Sequence, residues 1–250
     1  MRRLAALLLL LAGAVSAQAQ WQIFAERLPK SGTWARYQYE TLREGKVVSK
    51  TELSLSIRPG MDIGGKPHVW FTVEPVGWLG SREQAPLRLL LSADMDRARA
   101  SRLIENSHEI VFSNPVKGAY HMTREDIAWV SKWANLTYTS ELKPDNPAQE
   151  AIEAAGKPFA CERMKMVAST VTDPPIVPKQ TIEFKGTVWR SEATPFGVVR
   201  AEWLEKTTKK DRNREETRRL TLLASGWETP PSDAVDRGKD FSVWRLIFGR

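Results

Sequence analysis

Cysteine is almost missing from this 250-residue sequence, and Cys161 stands alone. An intramolecular disulfide is therefore excluded, and stability has to come from a packed core. Histidine is nearly as scarce. His68, His108 and His121 are scattered, and no two have the spacing of helical metal ligands. Glu105 and His108, three apart, are a two-residue hint of the kind that chance supplies. Gly-x-Ser-x-Gly elbows and glycine-rich phosphate loops are absent, and Cys161 has no histidine near it in sequence to act as a base. Paired carboxylates for glycosidic chemistry would meet only in the fold. No βαβ alternation runs through the chain, which argues against a parallel nucleotide-binding sheet. The expectation is a chain with no catalytic residues, no metal and no cofactor.

Long apolar runs are also lacking, with one exception at the start. Arg2 and Arg3 precede the apolar stretch Leu4 to Val15, and small residues follow as Val15-Ser16-Ala17 or Ala17-Gln18-Ala19. That is the layout of a cleaved export signal. A spanning helix needs about 20 apolar residues, and Gln18 and Gln20 arrive too early for one. No cysteine follows the run, so a lipid anchor on the mature end is not expected. The organisation read from this is a signal peptide over 1–19 and one β-rich domain over 20–250, placed in the periplasm. The formal charge of +7 falls by two to +5 when Arg2 and Arg3 leave with the signal. A modest positive excess suits an anionic envelope surface as well as plain solvent, while export makes nucleic acid an unsuitable partner.

What the sequence holds in quantity is alternation with period two, the mark of half-buried strands. Leu53, Leu55 and Ile57 oppose Glu52, Ser54 and Ser56, and Trp34 to Leu42 precedes them across Glu44-Gly45, so the two segments form a hairpin. Val69, Phe71 and Val73 oppose His68, Trp70 and Thr72, and Leu87, Leu89 and Leu91 mark another strand. Asp94 to Ser107 has the composition of a short helix. Thr123 to Asp126 is a capped start leading into a helix with Ile127, Val130 and Ala134 on one side. Pro144 to Pro147 and Gly156-Lys157-Pro158 are expected to be loops. In Phe159 to Val171 the apolar parity slips between Cys161 and Met164, which predicts a bulge or burial on both faces. Further strands carry Ile182, Phe184 and Val188, then Val199, Ala201 and Trp203, then Leu220, Leu222 and Ala224. The fold class expected is mainly β (α+β): a curved antiparallel sheet forming an incomplete barrel, with one or two short helices over its concave face.

Gly156-Lys157-Pro158-Phe159-Ala160-Cys161, then Val188-Trp189-Arg190-Ser191, then Thr194-Pro195-Phe196-Gly197-Val198-Val199-Arg200 resemble a pattern found in exported bacterial domains of unknown function. In those domains an aromatic precedes a strand cysteine, and a W-x-S strand end meets a P-F-G-V-V turn. They are similar to the open β-barrel of periplasmic lipoprotein carriers of the LolA and LolB type. The resemblance covers about a fifth of the chain, implies an incomplete barrel wrapped over helices, and brings no catalytic residues with it.

Two groups of side chains are candidates for function. Trp70, Trp129, Trp133, Met164, Met166, Trp189 and Trp203 are large and polarisable, suited to line a cavity for an acyl chain or simply to fill a core. Lys209, Lys210, Arg212, Arg214, Arg218 and Arg219 crowd around an expected hairpin tip, where Asp211, Glu215 and Glu216 dilute them. They suit anionic head groups or an acidic partner. The reading preferred on sequence is a non-enzymatic periplasmic protein that binds a lipid or other apolar ligand in a cavity closed by the Thr123 to Leu136 helix. The alternative is an envelope assembly or scaffold protein with a filled core that holds a protein partner.

Overall fold

The computed structural model describes residues 21–77, 84–114, 118–175, 178–210, 212–230 and 235–241. The expected signal peptide lies outside the described residues. Period-two patterning becomes strand nearly everywhere it was read. β1 (Thr33–Arg43) and β2 (Lys46–Ile63) form the first hairpin, followed by β3 (Lys66–Gly77) and β4 (Gln84–Ser92). After a helical turn, α2 (Arg97–Ala100), come β5 (Glu109–Asn114), β6 (Gly118–Met122) and α3 (Arg124–Trp133). The second half is a meander of β7 (Thr137–Ala154), β8 (Lys157–Thr172), β9 (Gln180–Arg190), β10 (Val198–Lys209) and β11 (Arg212–Trp227), with the two-residue β12 (Lys239–Asp240) near the end. A further helical turn, α1, occupies residues 21–25 ahead of β1.

All twelve strands belong to one sheet in the order β12-β6-β5-β4-β3-β2-β1-β11-β10-β9-β8-β7. The two meanders are welded where β1 pairs with β11, Tyr39 opposite Leu220. β6 and β7 do not pair, so the curved sheet stays open as an incomplete barrel. The chain crosses that seam between Met122 and Thr137, and α3, about 15 Å long, provides the crossing. On the β6 side the edge is finished by β12, which pairs in parallel with Lys239 opposite Tyr120. The same segment wraps the edge: Val235 packs on the outer face against Trp70, Leu90 and Val111, while Phe241 reaches the main core.

Among the described residues the concave side carries the main core cluster. Trp21, Gln22, Ile23, Phe24 and Ala25 are all buried, and a helical turn buried on every side is one enclosed by the rest of the fold. The Phe24 ring lies 5.2 Å from Tyr37 and 6.5 Å, edge-on, from Phe196. Phe196 also meets Phe71 at 6.2 Å, and the Tyr37 hydroxyl donates to the Val198 carbonyl at 3.0 Å. Strands on both sides of the β1–β11 junction thus converge on α1 and on the turn that carries Phe196. Three short helical segments, rather than one or two, accompany the sheet among the described residues.

The structure revises three local expectations. Pro144 to Pro147 are not a separate loop but lie within β7, where the register against β8 shifts between Pro144 and Asn146 and again between Asn146 and Glu150. Prolines and bulges are tolerated there because β7 is an edge strand. The turn after β7 is confined to Ala155 and Gly156, both at positive φ, so Lys157 and Pro158 begin β8. The tip of this hairpin folds onto β11, with Ala155 N–H donating to the Leu222 carbonyl at 3.1 Å. In the Asp94 to Ser107 stretch only Arg97–Ala100 is α-helical, capped by Asp96, and the following turns bury Leu103 and Ile104. The parity slip in β8 is a true irregularity against β7, with buried positions moving from Cys161 to Met164. Among the described residues no helix is long and apolar enough to cross a membrane.

Candidate functional site

The seven aromatic and sulfur residues do not share one space. Met164, Met166 and Trp203 are buried in the main core, while Trp70 belongs to the small cluster on the outer face. Trp189 is half-buried, donating from Nε1 to Glu150 Oε2 at 2.9 Å and stacked beneath the Arg200 guanidinium at 5.3 Å. Trp129 and Trp133 stand one turn apart on α3 with rings 6.2 Å apart and nearly parallel, and Trp129 is 42% exposed.

Two clefts open instead at the surface. The first runs along α3. A capping box starts this helix, with Thr123 Oγ1 accepting from Asp126 N–H and Asp126 Oδ2 accepting from Thr123 N–H at 2.9 Å. Ile127, Val130 and Ala134 then face the core. Ser131 falls on the border of this buried stripe, and its hydroxyl is buried without a hydrogen-bond partner among the described residues. The cleft beside it has a volume of about 510 Å³, with Ile127, Ala128 and Leu136 as apolar surface, Arg124 and Lys132 as cations and Glu105 as a carboxylate. Asn135 at positive φ ends the helix and turns the chain toward β7.

The second cleft is polar. Its hub is the Glu26 carboxylate, which follows α1 and is approached through the same oxygen by Arg190 Nη1 and, at 3.3 Å, by Arg97 Nε. Arg97 also donates to the Leu142 carbonyl at 3.3 Å, which ties α2 to the edge strand β7. Gly197, at φ +72°, leaves room for Arg190, whose Nη2 would lie 2.9 Å from a Cβ placed there. The W-x-S and P-F-G-V-V segments therefore meet here: Phe196 goes into the core and Arg190 closes over α1. Met164, alone among the seven expected lining residues, borders this cleft, and none of the seven borders the α3 cleft. Sequence reasoning passed over Glu26 and Arg190 because their partnership spans 164 positions. Ser131 left a weak signal as the hydroxyl on an otherwise apolar helix face.

The basic cluster separates into two parts. Glu216, 3% exposed, draws Arg43 Nη2 to 2.6 Å, Arg214 Nη2 to 2.7 Å and Arg218 Nη2 to 2.9 Å. Arg218 also meets Glu205 at 3.4 Å, and Arg219 pairs with Glu202 at 2.9 Å and Glu40 at 3.5 Å. These guanidiniums serve the sheet's own ion network. Lys210 and Arg212 remain exposed at the β10–β11 tip, beside the half-buried Lys209.

The other chemistry-bearing groups are few. Burial, with Glu150 nearby, pushes the Cys161 thiol up to about 11, so it is a protonated core side chain at neutral pH. In the native protein it is expected to resist an aromatic disulfide reagent and to react stoichiometrically after unfolding. Rapid labelling of the folded chain would contradict this. Two of the three scattered histidines come together: the His68 and His108 rings are 5.7 Å apart. His121 is held separately, with Nε2 3.2 Å from Glu109 and Nδ1 3.5 Å from Asp240. Among the described residues no group of three or more histidine, cysteine or carboxylate side chains is placed to hold a metal ion.

Neither protein-family models nor curated proteins match this sequence. Among solved structures, a candidate exported protein of YmcC-like fold from Bacteroides fragilis aligns with 12% identity and a TM-score of 0.35, covering 80% of this chain and 98% of its own. A DUF1329 family protein from Desulfovibrio piger aligns with 9% identity and a TM-score of 0.31, covering 88% of this chain and 95% of its own.

Proposed function

We propose that this chain is a non-enzymatic, exported binding protein whose ligand, an amphipathic anion such as a fatty-acyl compound, lies along α3 and not inside the sheet. Inside the sheet, α1 and Phe196 take up space that an acyl chain would need. The observation that carries the reading is the Ser131 hydroxyl, buried without a partner beside the α3 cleft. A buried hydroxyl without a partner is costly, and a ligand head group would satisfy it. Ile127 and Leu136 supply apolar contact, and Arg124 and Lys132 supply charge for an anionic end. A volume of about 510 Å³ falls in the range of small-molecule sites.

Native mass spectrometry with solvent extraction, on mature protein purified gently from a bacterial periplasm, tests this directly. A stoichiometric lipid adduct is expected. A fluorescent fatty-acid probe should bind the wild type and bind roughly tenfold or more weakly to Ser131→Leu, which fills the cleft and removes the hydroxyl. Clean apo protein that ignores the probe would overturn the reading. The edge position of β7 then favours the second reading, an envelope assembly protein that holds a partner.

A further inference from the structure

We propose that His68 and His108 form a two-histidine site for a divalent transition-metal ion, Cu²⁺ or Zn²⁺, with solvent completing its coordination. The sheet register creates the pair. His68 on β3 lies opposite Ser92 at the end of β4. On the other side of β4, His108 N–H donates to the Leu90 carbonyl at 2.8 Å as the chain enters β5. The two imidazoles therefore flank the end of one strand, both half-buried.

Their geometry suits a shared ion. A histidine nitrogen binds Zn²⁺ at about 2.0–2.1 Å, which puts the metal about 3.2 Å from the ring centre. Two such rings have centres about 5.2 Å apart at a tetrahedral angle and about 5.7 Å apart when the angle opens to about 125°. The observed separation is 5.7 Å, with the ring planes at 65°.

The hydrogen bonding of His68 points the same way. His68 Nδ1 lies 2.9 Å from the Lys66 carbonyl. That contact is a hydrogen bond only when Nδ1 carries the proton, and in the neutral ring this tautomer has its lone pair on Nε2. A ring nitrogen tied to a backbone carbonyl, with the other left free, is the usual second contact of a metal-binding histidine. Of the charged groups acting on His108, Glu109 favours a bound cation and Arg124 opposes it. Imidazole ligands suit both ions, and the order of divalent affinities puts Cu²⁺ above Zn²⁺.

The test is titration of the untagged mature chain with Zn²⁺ by calorimetry near neutral pH, with Cu²⁺ followed by electron paramagnetic resonance. One ion per chain is expected, with nitrogen hyperfine structure in the Cu²⁺ spectrum. His68→Gln and His108→Gln should each weaken binding roughly tenfold or more, while His121→Gln should not. Nitrogen NMR of the wild type gives a reading that needs no variant: Zn²⁺ should move the ring signals of His68 and His108 and leave His121 in place. No binding, or binding that ignores both substitutions, as copper held at the amino terminus would, overturns the site. So does a Zn²⁺ response centred on His121.

Discussion

Phe24→Ala is expected to destabilise the protein by about 3–5 kcal/mol, the range for deleting a fully buried aromatic ring. Phe24 is 0% exposed, and its ring contacts come from β1 and from the turn before β10, which lie on the two sides of the β1–β11 weld. The cavity left behind would sit where the two halves of the sheet meet over α1, with little freedom to collapse. Urea denaturation followed by tryptophan fluorescence measures the loss. For a chain of this size it corresponds to a fall in melting temperature on the order of 10 °C. Phe24→Leu, which keeps most of the volume, should cost less than half as much. A Phe24→Ala variant within about 0.5 kcal/mol of wild type would mean that α1 does not act as a plug inside the curved sheet.

The plug was the least legible part of the fold, for a physical reason. Five residues are too few to show a helical period, and here every face is buried, so no apolar stripe distinguishes residues 21–25 from a tail after a signal peptide. The strands were easier. Leu53, Leu55 and Ile57 announce one buried face, and the slip from Cys161 to Met164 announces the irregularity against β7. Thr123 and Asp126 announced α3 because a capping box is local. The proline-containing part of β7 was hidden because an edge strand can hold residues that a central strand cannot.

Alternation also assigns faces only within a strand, and does not say which face meets the core. Trp70 lies on the outer face for this reason, although Phe71 beside it lies inside. The candidate sites were hidden further. Glu26 with Arg190, and His68 with His108, meet only through pairing and closure of the sheet, which no local pattern encodes. Arg214, Arg218 and Arg219 read as part of a basic patch, but carboxylates on β1, β10 and β11 neutralise them.

One of those carboxylates gives the second large effect. Glu216→Gln is expected to cost about 3–4 kcal/mol, in the lower part of the range for breaking a buried ion pair. The partners differ in what they lose. Arg43 and Arg214 are more than half exposed and turn back to water, whereas Arg218 is 17% exposed and is left with Glu205 at 3.4 Å. The same carboxylate predicts a pH dependence. Burial alone would raise its pKa, but hydrogen bonds from Arg43 and Arg214 and the Arg218 charge outweigh burial and leave it below the ordinary carboxylate range. A group whose pKa is depressed by folding stabilises the native state above its unfolded value, and the contribution fades as pH falls through the folded value. Wild type should therefore lose stability on acidification below about pH 4.5 more steeply than Glu216→Gln, so the gap between the two narrows toward lower pH. Denaturation midpoints for both proteins across the acid range decide the matter. Parallel curves would mean that the three guanidiniums do not hold Glu216 in its charged form.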